Sequence, residues 1–113
     1  MKLLTKTQRV KLIQNHEQQD GTKSFDCVVK LFNPIGLGTW YLSELDPKTN
    51  IAFGLCSITE AEYGYVSIDE IEETSVGMGL KIERDKMWTS GTSLQRCLQI
   101  EQHKHANVQY ENT

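Results

Sequence analysis

Four side chains suited to a polar site stand near the ends of alternating runs: Trp40 and Glu44 in Thr39–Leu45, Arg84 in Leu80–Asp85, and Trp88 in the loop after it. Arg84 shares the parity of Leu80 and Ile82, so it points inward at a strand end, where a guanidinium needs a carboxylate. Glu44 shares the parity of Trp40 and Leu42 and is the expected partner across the sheet. Such a pair is either an ion pair closing the sheet or, with the two tryptophans, the polar site of a small enzyme or ligand binder. Glu44 and Asp46 also have the types of an acid/base pair. The turn Asp46-Pro47 already accounts for Asp46, however, and no histidine or lysine accompanies them as a catalytic partner.

The remaining chemical candidates are thinner. Gly36-Leu37-Gly38 leads into a strand, whereas a phosphate cradle needs a helix N-terminus behind its glycines, so it reads as a hairpin loop. His103 and His105, two residues apart, do not share a helical face, and the segment reads as a solvated tail. Cys27, Cys56 and Cys97 are odd in number and lack C-x-x-C spacing; they read as buried free thiols of a reducing cytoplasm. No motif calls for a metal or a cofactor, and none is expected.

Charge is layered along the chain. Residues 1–30 hold six Lys/Arg against three Asp/Glu, while residues 31–80 hold one against eight. The acidic side chains Glu60, Glu62, Asp69, Glu72 and Glu73 fall at loop or outward helical positions, predicting one negative face from the 59–73 segment. A basic patch from Lys2, Lys6, Arg9 and Lys11 on the first helix should lie beside or opposite it. An acidic middle is the reverse of what phosphate requires, so a protein partner is favoured over nucleic acid. No apolar run approaches a membrane span or a leader peptide, so a cytoplasmic location without membrane contact is expected.

These residues need a scaffold. At 113 residues the chain suits one domain spanning 1–113 with one core. Thr5 with Gln8 forms a capping box for a helix from Lys6 to about Gln18. Three runs follow, Cys27–Phe32, Thr39–Leu45 and Ile51–Ile58, punctuated by Asn33-Pro34 and Asp46-Pro47, and they read as an antiparallel meander. Val29, Leu31, Leu42, Phe53, Leu55 and Ile82 are the expected core. Ala52, Gly54 and Cys56 give the third run a small-residue face suited to close helix approach. Tyr63–Val66 is a short fourth strand, and Ser67 caps a helix reaching about Ser75. Leu80–Asp85 reads as a last strand, and Thr92 or Ser93 opens a helix to about His103 ahead of a polar frayed tail, 104–113. Isoleucine and leucine at 35 and 37 stand at a loop tip, either folded back on the core or forming an exposed apolar knob. The fold class is α+β: a mainly antiparallel sheet of four to five strands with N-terminal, middle and C-terminal helices.

Several stretches together resemble a bacterial domain family of unknown function, the conserved hypothetical proteins of plasmids, integrative elements and phages. They are Met1–Thr5, Val28–Pro34, Thr39-Trp40 with Glu44–Pro47, Ala52–Cys56, Gly64–Ser67 with Glu70, and Gly79–Asp85. The similarity is collinear over residues 1–88, and Lys86-Met87-Trp88 departs from a Phe-containing continuation. The resemblance implies a prokaryotic mobile-element setting and brings no catalytic residue with it. A non-enzymatic accessory module that binds a host or element-encoded protein, in the manner of anti-defence proteins, fits both this setting and the acidic middle.

Overall fold

In the computed structural model, which describes residues 3–111 with side chains through Ala106, three helices surround a five-stranded antiparallel sheet. Helix α1 (Lys6–Gln18) begins at the expected capping box: Gln8 N donates to Thr5 Oγ1 at 3.1 Å and Thr5 N donates to Gln8 Oε1 at 3.0 Å. The strands are β1 (Asp26–Cys27), β2 (Val29–Phe32), β3 (Thr39–Asp46), β4 (Ile51–Ser57) and β5 (Ala61–Ser67). Helix α2 (Ile68–Glu73) follows, capped by Ser67 Oγ, which accepts from Glu70 N. Short strands β6 (Ser75–Gly77), β7 (Leu80–Lys81), β8 (Glu83–Arg84) and β9 (Thr92–Ser93) precede α3 (Leu94–Glu111). The main sheet has the order β5-β4-β3-β2-β8, and β1-β9 and β6-β7 are separate two-stranded pairs.

Each face of the sheet carries its own core. On one face Leu12 of α1 and Ile68 of α2 pack with Val29, Leu31, Trp40 and Leu42. On the other, Leu94 and Cys97 of α3 pack with Cys27, Tyr41 and Leu55. Of the expected core, Val29, Leu31, Leu42, Leu55 and Ile82 are buried. Phe53 is only half-buried: its row on the α3 face ends in a groove and not under the helix.

The central irregularity is a bulge at Ser43. Leu42 lies opposite Gly54 and Glu44 opposite Phe53, so Ser43 is an extra residue in β3. The insertion reverses the parity beyond it: Trp40, Leu42 and Leu45 face α1, while Tyr41 and Glu44 face the α3 side. Asn15, buried on α1, donates from Nδ2 to the Ser43 carbonyl at 2.9 Å. Gly54 serves the same distortion, since a Cβ there would come within 1.9 Å of the Tyr41 carbonyl oxygen. The small face of β4 thus admits the neighbouring strand at this position, where close helix approach was expected.

Two further boundaries differ from sequence expectation. Leu80–Asp85 is not one strand: β7 folds back on β6 around Met78 (φ 56°), and β8 pairs with β2 after the buried Ile82. Leu80 therefore stays exposed. Helix α3 runs to Glu111, past the expected end at about His103, and His105 bonds Ser57 with 2.8 Å between Oγ and Nε2.

Candidate functional site

The structure separates the four residues of the expected polar site. Trp40 and Arg84 share a cross-strand row on the α1 face with Leu31 between them, and Arg84 donates to the Leu3 carbonyl at 2.9 Å. Glu44 lies four residues farther along β3, a displacement of about 13 Å, and the Ser43 bulge turns it to the opposite face. The expected Glu44–Arg84 pair across the sheet is therefore not formed. Trp88 lies on Glu44's face but packs edge-on against Tyr41, with 5.3 Å between centroids, and Lys30 Nζ sits 5.7 Å from its ring centre.

The acidic side chains form two patches and not one. Glu60 and Glu62 stand at the start of β5, whereas Asp69, Glu72 and Glu73 ride on α2 beyond its end, about 20 Å away for a seven-residue strand. All five are exposed. The α2 patch adjoins α1 through Asn50, which accepts from Arg9 Nη1 and donates to Asp69 Oδ1, each at 2.8 Å. Lys6 and Lys11 are exposed, and Lys2 lies outside the described residues.

Beside the α2 patch is an apolar tip. The β6–β7 turn presents Met78 at 89% exposure, and the β2–β3 loop presents Leu37 at 68%. Ile35 joins the two, its Cδ1 lying 3.5 Å from where a Cβ on Gly77 would stand. Lys81 Nζ donates to the Glu72 carbonyl at 3.1 Å, fastening the hairpin to α2. The loop-tip alternatives thus resolve toward the exposed knob.

Two arrangements had no counterpart in the sequence reading. Under α3, Tyr41 OH donates to Glu101 Oε2 at 2.7 Å, and Lys104 Nζ donates to the same oxygen at 3.1 Å. Burial pushes the Glu101 carboxyl up, but donors from Tyr41, Lys104 and Ser57 outweigh it and hold the group below its usual range. Burial and that carboxylate together push the Tyr41 phenol far above its ordinary value. Ser57 and His105 have the types of a nucleophile and base, yet Ser57 is buried and lines neither of the cavities around Glu44, so the set fastens α3. Nearby, the hydrogen bond with Cys97 and burial raise the Cys27 thiol; all three cysteines are free.

The second arrangement is a groove on the α3 face, beyond the helix. Glu44, Phe53 and Lys23 line both of two adjoining cavities of about 840 and 530 Å³. Pairing across the meander assembles its wall: Glu44 opposes Phe53, and Phe53 opposes Tyr65. The alternation of β4 and β5 could have shown a shared aromatic face, but the bulge that adds Glu44 has no sequence marker.

The sequence model of a family described as "Protein of unknown function (DUF2958)" matches residues 3–107, and the chain belongs to that family. No curated protein and no solved structure matches the chain.

Proposed function

We propose that this family member is a non-catalytic protein-binding module whose contact surface is the apolar tip together with the acidic helix α2. The observation that carries the proposal is the juxtaposition of Met78, Leu37 and Ile35, all exposed, with the exposed carboxylates Asp69, Glu72 and Glu73. Exposed apolar side chains rimmed by charge are what a docking surface presents, and separate surface residues are not. The complementary partner is a protein with an apolar recess inside a basic rim, as the nucleic-acid groove of a nuclease offers. Its encoding by a prokaryotic mobile element is supported by the resemblance of the sequence. A cytoplasmic site of action fits the unpaired cysteines, and no described helix is long and apolar enough to cross a membrane.

Nucleic-acid binding through the first helix has less support, because Arg9 is engaged with Asn50 and acidic α2 adjoins it. The test is capture of a host partner followed by binding kinetics with the purified pair. Steering acts over about 8–10 Å near physiological salt. Glu72→Lys with Glu73→Lys should therefore slow association, and Leu37→Ser with Met78→Ser should speed dissociation. Both double variants should remain folded, the acidic one losing at most the contact that Leu3 N makes to Glu72 Oε1. Unchanged kinetics in both, or direct salt-sensitive binding of short DNA or RNA by the wild type, would defeat the proposal.

A further inference from the structure

We propose that the groove around Glu44 is a binding site for a small organic cation, an alkylammonium or guanidinium group. It lies apart from the tip and stands independently of the protein-binding proposal.

Glu44 carries the inference. The residue is 7% exposed, yet among the described residues each of its carboxylate oxygens accepts from Gln19 Nε2 alone, at 3.2 Å. Among the described residues no cation lies within ion-pair distance of it. Enclosed carboxylates are usually paired, and the one amide shared by both oxygens leaves room for a cationic partner. The two cavities meet at this group, so a ligand can reach it.

The wall beside it suits the same chemistry. Phe53 and Tyr65 continue the cross-strand row from Glu44, their rings 5.1 Å apart and tilted by 58°. Tyr63 stacks on Phe53 from the other side at 6.4 Å and 16°. Ring faces attract ammonium and guanidinium groups, and an alkyl stem can lie along them while the charged head reaches the carboxylate. Asp46 lines the larger cavity with His16, 3.9 Å from it, and supplies a second acceptor for a ligand with two charged ends. Lys23 lines both cavities and is the chain's own competing cation.

The probe is agmatine, which carries a guanidinium at one end and an amine at the other, titrated into the whole chain by calorimetry and NMR. Saturable binding is expected, with shifts confined to Glu44, Phe53, Tyr63, Tyr65 and their neighbours. Glu44→Gln should weaken it about tenfold or more, because the charge-assisted contact is lost while the side-chain shape remains. Tyr65→Ala should also weaken it, and this ring is 76% exposed, so the variant keeps its fold. Lys23→Ala should strengthen binding by removing the competitor. Absence of saturable agmatine binding by the wild type overturns the proposal. So does equal affinity in folded Glu44→Gln and Tyr65→Ala proteins.

Discussion

Tyr41→Phe removes one oxygen atom from the buried network under α3 and nothing else. The lost bond runs to an ionised acceptor at 2.7 Å, between residues that are 1% and 4% exposed. Hydrogen bonds to charged groups contribute about 1.5–3 kcal/mol. Lys104 cannot make up the loss, since its side chain is largely exposed and such pairs give at most about 1 kcal/mol. At roughly 4 °C per kcal/mol for a chain of this size, melting should fall by about 6–12 °C near neutral pH. The pH dependence supplies a second reading. Glu101 is held below its ordinary 4.5, so its contribution is complete above that value and fades as pH drops through the lower folded value. Without the Tyr41 donor the carboxyl is held less far below that value, so the variant should lose less stability on acidification and its gap to the wild type should narrow. Thermal melts followed by circular dichroism across the acid range measure both effects. A variant melting with the wild type at neutral pH, or one showing the same gap at about pH 3, would refute the account of how α3 is held.

Three more outcomes are expected. Gly54→Ala should cost at least about 3 kcal/mol or prevent folding, because its Cβ meets the Tyr41 carbonyl, whereas Gly64→Ala, with nothing within 4 Å, should melt near the wild type. Asn15→Ala should lower stability by about 1–3 kcal/mol in urea unfolding, through the Ser43 carbonyl left without its donor. All three thiols should react with a chromogenic reagent after unfolding without reductant, and recovery of only one would show that Cys27 and Cys97 had joined.

Much of the scaffold was legible because its signals are local. Thr5 with Gln8 and Asp46-Pro47 act over three or four residues, and each element they bound appears where the sequence places it. The alternating strands likewise put five of six core residues inside. The candidate site was less legible because it depends on one inserted residue. Ser43 carries no glycine or proline to mark a bulge, and its need for Gly54 and Asn15 is visible only once the strands are paired. Counting parity through it assigned Glu44 to the wrong face and matched it with Arg84. Leu80–Asp85 failed for a related reason: its alternation is real, but two different sheets divide it. The polar bonds of α3 join residues 48 and 60 positions apart, beyond the reach of any local pattern.

The placement of α3 also bears on how the chain emerges during synthesis. The meander β3–β4–β5 and helix α1 are complete once residue 67 has been made, and their pairings are between sequence neighbours, which favours early formation. Tyr41, Leu55 and Cys27 then form an uncovered apolar surface until Leu94 and Cys97 arrive. A nascent chain stalled or truncated before residue 94 would hold a nearly finished sheet with one bare face. Such a species is a ready client for chaperones and a seed for aggregation, so production of this protein depends on its last helix being delivered promptly.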